Sequence, residues 1–111
     1  MTALEASLGF EIWEGTGNDF VLVEAPLLSP DRVRALCDRR RGIGADGVLT
    51  IGGTAEEPSM IVVNADGSRP EMCGNGLRCV AGWLASRGRI PENEWTTVAT
   101  DAGPRPVLVT A

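Results

Sequence analysis

The sequence predicts a mixed α+β domain in which helices pack on a mainly antiparallel sheet. Short apolar runs bounded by glycine-rich turns recur along the chain, as expected of strands, at residues 10–13, 20–23, 48–51, 60–63, 95–100 and 107–109. Two further segments combine helix-start residues with helical spacing of apolar residues. With 111 residues, 43% of them hydrophobic, the chain can form one domain with its own core.

The first helix is predicted to begin at the SPD sequence of residues 29–31. A hydroxyl N-cap, a proline at the first helical position and an acid in the first turn are typical of helix starts. Val33, Leu36 and Cys37 then fall on one face, and we expect the helix to end near residues 41–42.

The second helix is predicted over residues 74–86, with Gly88 as its C-cap. Its apolar residues follow the i, i+3, i+4, i+7 pattern: Leu77, Val80, Ala81 and Leu84.

The composition excludes several function classes. A net charge of −5 argues against nucleic acid or an anionic membrane as the main partner. Residues 1–9 contain neither a basic residue nor a long apolar run, so we expect no signal peptide or membrane anchor there. No later run approaches the ~20 apolar residues of a membrane span. A cytoplasmic protein is expected.

The three cysteines, Cys37, Cys73 and Cys79, do not indicate a disulfide framework, because their number is odd and their density is low. A metal site is not expected either, since the chain has no histidine and no Cys-x-x-Cys pair. Without histidine or lysine, acid–base chemistry must depend on cysteine or carboxylate groups.

Cys73 is the strongest candidate for chemistry. It is followed by Gly-Asn-Gly and then by the second helix, which places its sulfur at the helix mouth. The unpaired N–H groups and the dipole there favour an anion and the thiolate form of cysteine. We interpret Cys73 as a reactive thiol; the alternative is a small buried hydrophobe.

The neighbouring residues have two interpretations. Gly74, Asn75 and Gly76 can serve only as a helix entry, but two glycines around an amide favour close approach by a ligand carboxylate or phosphate. Cys79 follows six residues after Cys73, roughly 600° around the helix, so we expect it to point away from the mouth into the core. Cys37 is also expected in the core.

Other polar segments are most simply structural. Asn18 and Asn64 are typical loop residues, Asp66 is a turn former, and residues 38–41 (DRRR) read as a charged helix terminus. The glycine-rich residues 42–47 match neither a Walker loop nor a dinucleotide-binding loop.

Four motifs together resemble the diaminopimelate epimerase family: GNDFV (17–21), DRRRGIGADG (38–47), NADGS (64–68) and EMCGNGLRC (71–79). They occur in the family's order and spacing, and the resemblance covers essentially the whole chain. The MCGNG core is specific, because proline racemase relatives typically carry histidine where Asn75 stands.

The resemblance implies a fold of two similar halves, each a sheet wrapped around a central helix, with the active site between them. It implies cofactor-independent conversion of LL- to meso-diaminopimelate, a precursor of lysine and peptidoglycan, by two cysteines that invert the α-carbon. Cys73 matches the first catalytic cysteine. Four residues match substrate-binding positions: Asn18, Asn64, Gly74 and Asn75. Gly47 stands where many members have a substrate-contacting glutamine, so only a backbone role stays open there.

The chain departs from the family in length, since members are much longer and carry the second catalytic cysteine in their second half. Residues 1–111 are therefore interpreted as an N-terminal domain that needs a C-terminal half in cis or in trans. Three alternatives stay open: a non-catalytic carboxylate-binding domain, a racemase of other specificity, and a homodimer that brings together two copies of Cys73.

Overall fold

The computed structural model describes residues 10–15, 17–24, 26–70 and 73–110. The expectations about residues 1–9, and about residues 71 and 72 of the EMCGNGLRC motif, lie outside these residues. The described elements follow the chain as β1 (Phe10–Gly15), β2 (Asn18–Glu24), α1 (Pro30–Cys37), β3 (Gly47–Gly53), β4 (Pro58–Asn64), α2 (Gly74–Ser86), β5 (Trp95–Thr100) and β6 (Gly103–Leu108).

The strands form one sheet in the order β1-β2-β3-β4-β5-β6. The pairs β1–β2, β3–β4 and β5–β6 are antiparallel, whereas β2–β3 and β4–β5 are parallel. A parallel pair needs a crossover, and α1 and α2 supply the two crossovers. The predicted mixed, mainly antiparallel sheet is confirmed.

The two helices cover opposite faces of the sheet, because side chains of a strand alternate between its faces. Phe20 and Leu22 of β2 belong to the core cluster formed with α2, whereas Val21 and Val23 belong to the cluster formed with α1. Since both faces are covered, the middle of β2 is a continuous buried run. Helix α2 contacts β1, β2, β3, β4 and β6, which agrees with a sheet wrapped around a central helix.

The ends of α2 are determined by local sequence. Cys73 is its N-cap, with extended backbone angles (φ −140°, ψ 109°). At the other end Gly88 has φ +67°, and the N–H groups of Gly88 and Arg89 donate to the carbonyls of Ala85 and Leu84. This pattern is a Schellman motif with Arg87 as the C-cap and Gly88 directly after it, so the helix end predicted at Gly88 is confirmed to within one residue. In the described part of the chain no helix is long and apolar enough to span a membrane.

Helix α1 begins where it was predicted to begin, but it ends about one turn before the predicted end. Ser29 Oγ accepts a hydrogen bond from the Arg32 N–H at 3.2 Å, as an N-cap should. The expected end near residues 41–42 was wrong, because the helix ends at Cys37. The Asp38 carboxylate accepts from the N–H groups of Arg40 (2.8 Å) and Arg41 (3.1 Å), which forms a local turn that competes with continued helix.

Strand β6 is longer than the predicted residues 107–109. It begins at Gly103 and includes Pro104 and Pro106, which precede the predicted strand. In the described sheet β6 lies at an edge, where a missing backbone N–H costs little, so the two prolines are tolerated.

Candidate active site

Cys73 lies at the mouth of α2 with its sulfur directed at the helix. Its Sγ accepts a hydrogen bond from the Gly76 N–H at 3.4 Å, and the side chain is half-buried. The positive end of the helix dipole stabilises negative charge on a group that accepts from an N–H at the helix N-terminus. The structure therefore places the thiol as the sequence predicted, partly accessible and next to backbone donors.

The first turn of α2 offers two further donors beside the thiol. Among the described residues no acceptor is recorded for the N–H groups of Gly74 and Asn75, as expected for the first residues of a helix. A Cβ placed on Gly74 would meet no described residue within 4 Å, so these residues leave the space next to the donors open. This combination suits a small anionic group such as a carboxylate.

Gly76 has a packing role, which the sequence analysis did not consider, and its part in a ligand site stays a prediction. A Cβ at this position would lie 2.9 Å from Leu49 Cδ2 and 3.5 Å from Cys73 Sγ. Leu49 is fully buried in β3. The glycine thus lets the first turn of α2 lie directly on the sheet.

Asn75 is joined to β2 by a chain of side-chain hydrogen bonds. Its Nδ2 donates to Asn18 Oδ1 at 2.7 Å, and Asn18 Nδ2 donates to Asp46 Oδ2 at 3.3 Å. The two asparagines are 57 residues apart in the chain. Gly15, at the end of β1, packs against the Asn75 backbone. The structure therefore brings together Asn18, Asn75, Gly74 and Cys73, as the family resemblance implied.

Sequence analysis missed three members of this site: Asp19, Arg39 and Asp46. Arg39 donates to both carboxylate oxygens of Asp19 (3.2 and 3.0 Å) and to Asp46 Oδ1 at 3.2 Å. The Asp46 Oδ2 atom also accepts from the Asp19 N–H at 3.0 Å. Residues 38–41 are thus more than a charged helix terminus, and Arg39 is part of a defined ion-pair cluster. The available signal was the position of Asp19, Arg39 and Asp46 within the quoted motifs.

The same cluster predicts a loss of stability at low pH. The hydrogen bonds from Arg39 hold the pKa of Asp19 at about 2. Because the folded-state pKa lies below the unfolded value of about 3.9, the stabilisation is present above pH ~4 and is lost as the pH falls towards 2.

The slope of the unfolding free energy against pH gives the number of protons taken up on unfolding. In Asp19→Asn this number should be smaller than in the unmodified chain between pH 2 and 4, by less than about one proton. Urea unfolding of both proteins at pH 2.5, 4 and 6 measures it. The remaining dependence comes from other paired acids such as Asp101, whose pKa is lowered by the hydrogen bond from Arg69. Equal pH dependence in the two proteins would contradict the assignment to Asp19.

Gly47 and Asn64 lie at the same end of the sheet but outside the bonded chain. They are paired across β3 and β4, and Asn64 Nδ2 donates to Ser68 Oγ at 3.0 Å. A Cβ on Gly47 would lie 2.8 Å from the Val63 carbonyl oxygen. The local backbone therefore leaves no room for the glutamine that many family members carry, and the roles of both residues in substrate binding stay predictions.

The other two cysteines are core residues, as predicted. Cys37 and Cys79 are 4% and 3% exposed, against a half-buried Cys73, so a reagent in solution reaches Cys73 most readily. Burial raises the pKa of Cys79, with smaller contributions from Cys73 and Glu14.

The fold and site define a class: α+β domains wrapped around a central helix with a thiol at its N-terminus. The fold is similar to that of a phenazine biosynthesis PhzF family protein from Enterococcus faecalis (TM-score 0.69, 12% identity, 91% of this chain and 40% of that chain). It is also similar to a probable proline racemase from Agrobacterium radiobacter K84 (TM-score 0.67, 14% identity, 88% and 36%). At these identities the likeness concerns the fold alone.

The chain belongs to the diaminopimelate epimerase family, whose model matches residues 10–111. It is 46% identical over 98 residues to the diaminopimelate epimerase of Synechocystis sp. (80% of this chain, 34% of that protein). It is 48% identical over 113 residues to that of Corynebacterium aurimucosum (86% and 40%), and 39% identical over 106 residues to a chloroplastic one from Oryza sativa (89% and 30%). The chain spans about a third of the length of these relatives.

Proposed function

We propose that this chain is the N-terminal domain of a diaminopimelate epimerase that inverts the α-carbon without a cofactor, with Cys73 as one of its two acid–base cysteines. One observation carries the proposal: the Cys73 sulfur lies at the mouth of α2 beside open space at Gly74. The similarity to proteins named diaminopimelate epimerase supports the choice of substrate.

The proposed chemistry is a proton transfer at the α-carbon. The Cys73 thiolate takes the α-proton, so the C–H bond breaks, an S–H bond forms and the electron pair stays on the α-carbon and its carboxylate. The N–H groups of Gly74 and Asn75, which have no acceptor among the described residues, can hold that carboxylate while its charge grows. A second thiol then returns a proton to the opposite face, which completes the inversion.

The second thiol is proposed to come from a C-terminal half, joined in cis or supplied in trans. Cys37 and Cys79 do not fit this role, because both side chains are almost fully buried. Asn18 and Asn64 are proposed as further substrate contacts, and Gly47 as a backbone contact at most. We also propose that the protein acts in the cytoplasm, because a reducing compartment keeps its three cysteines as free thiols.

The test is exchange of the α-proton of diaminopimelate in deuterated water, followed by NMR and chiral chromatography. We expect slow or no exchange with the chain alone, and exchange with epimerisation when a separately produced C-terminal half of a close relative is added. Proline and lysine serve as comparison substrates.

Each other outcome identifies an alternative. Exchange of a comparison substrate in preference to diaminopimelate would indicate a racemase of other specificity. Binding without exchange, even with the C-terminal half, would indicate a carboxylate-binding domain. Exchange by the chain alone that rises with the square of its concentration would place the second thiol on another copy.

A further inference from the structure

Four side chains form a continuous polar connection from the loop after α1 to the first turn of α2, which we call the relay: Arg39, Asp46, Asn18 and Asn75. Hydrogen bonds join Arg39 to Asp46 (3.2 Å), Asp46 to Asn18 (3.3 Å) and Asn18 to Asn75 (2.7 Å). The relay links segments that are far apart in sequence and ends at the residue that adjoins the candidate ligand space.

The relay has a defined polarity. An ionised carboxylate only accepts hydrogen bonds, so Asp46 requires Asn18 to present its NH₂ group. Asn18 must then turn its carbonyl oxygen to Asn75, and this carbonyl accepts from the Asn75 NH₂ group. One charged end thereby determines the orientation of two amides that are otherwise nearly symmetric in shape.

We propose that Asp46 and Arg39 are positioning residues that fix the orientation of the Asn75 amide towards the ligand. Asn18 accepts from one N–H of Asn75, and within the described part of the chain the Asn75 side chain has no other hydrogen-bond partner, so its carbonyl oxygen and second N–H can interact with a ligand. The carbonyl oxygen of an amide held in one orientation can accept from an ammonium group, while the helix N–H groups beside it hold a carboxylate. This pairing selects a zwitterionic α-amino acid, and the ligand part of the inference rests on the proposed function.

Arg39 acts by holding Asp46 in place. The Asp46 Oδ2 atom is occupied by Asn18 and by the Asp19 N–H, and Arg39 occupies Oδ1. Arg39 also binds Asp19 through two hydrogen bonds, so the guanidinium is anchored independently of Asp46. The Arg39 side chain is 58% exposed, and such ion pairs add little stability, so the expected effect is on orientation.

The test compares Asp46→Asn with Glu24→Gln in the full chain. Glu24 ends the strand that Asn18 begins, and its carboxylate is also paired with an arginine, Arg89 at 3.2 Å. The two variants remove the same charge, one from a residue bonded to the start of β2 and the other from the end of β2. The readout is the ¹H–¹⁵N signal of the Asn75 side-chain NH₂, which needs no ligand.

In the unmodified chain and in Glu24→Gln we expect a rigid, slowly exchanging Asn75 amide. In Asp46→Asn we expect that rigidity to be lost and exchange to rise about tenfold, since the amide is no longer held in one orientation. If Asp46→Asn fails to fold, Arg39→Gln tests the outer end of the relay, and Arg39→Lys should restore part of the effect. An Asn75 amide as rigid in Asp46→Asn and Arg39→Gln as in the unmodified chain would overturn the proposal.

A second measurement adds diaminopimelate and follows its dissociation constant by the same spectra. Asp46→Asn should weaken binding about tenfold, and Glu24→Gln should leave it unchanged. If the unmodified chain and its complex with the C-terminal half both fail to bind diaminopimelate, the proposed substrate is wrong, while the amide signals still decide the relay. Equal affinity of Asp46→Asn and the unmodified chain would overturn the ligand part of the inference.

Discussion

Cys73→Ser should lower exchange of the α-proton of diaminopimelate by about 10²–10⁴-fold in the presence of a C-terminal half. The reason is acidity: a serine hydroxyl has no significant anionic fraction at neutral pH, so no base remains at the helix mouth. Folding should not suffer, because serine is a better N-cap than cysteine and its oxygen can accept from the Gly76 N–H. Exchange rates in deuterated water, with urea unfolding of the same samples, measure both effects.

Cys79→Ser is the matched control for this prediction. It makes the same atomic change six residues later, but at a site that is 3% exposed inside the main core cluster. The change places a more polar group in the core, so stability should fall by about 1–3 kcal/mol while folded protein retains its exchange rate. Retained exchange in Cys73→Ser, or loss of exchange in well-folded Cys79→Ser, would refute the assignment of Cys73.

Leu49→Ala should lower the free energy of unfolding by about 2–5 kcal/mol. Leu49 is fully buried in β3 and lies in the cluster that joins the sheet to α2, so truncation leaves a cavity under the first turn of the helix. Urea unfolding of the chain measures the loss. Leu27→Ala is the control, because Leu27 is 44% exposed and should change stability by less than about 0.5 kcal/mol.

Gly76→Ala makes this prediction specific to the helix mouth. In the unmodified chain the added Cβ would lie 2.9 Å from Leu49 Cδ2, so the substitution should destabilise. In the Leu49→Ala background that contact is gone, and alanine should then be neutral or stabilising by up to about 1 kcal/mol, as in other helices. A double-mutant cycle measures the coupling between the two positions. Simple additivity would show that Leu49 is not the reason for glycine at residue 76.

Local sequence predicted the regular elements well where local interactions decide them. The start of α1 at Ser29 and the end of α2 at Gly88 depend on caps within a few residues, and both were confirmed. The end of α1 was wrong because the Asp38 side chain binds backbone N–H groups in a turn that helical periodicity does not show. The start of β6 was missed because the tolerance of two prolines depends on which strand lies at the edge.

The candidate site was predictable in part for a similar reason. Cys73 followed by Gly-Asn-Gly indicated a thiol at a helix start, and the structure has that arrangement. The packing role of Gly76 could not be predicted, because it depends on Leu49, a residue of another element. Asp46 and Arg39 looked like ordinary loop and helix-end charges, because their partners lie on β2 and become neighbours only in the folded sheet.

By itself the sequence determined the elements, the thiol at the mouth of α2 and the family, because caps, periodicity and motifs are encoded within short stretches of chain. Only the tertiary structure decided how residues 57 positions apart meet, with Asn75 bonded to Asn18 and through it to Asp46. Hydrogen bonds between distant segments depend on sheet order and register, which a single sequence does not specify. The orientation of the amide beside Cys73 is for this reason a property of the fold.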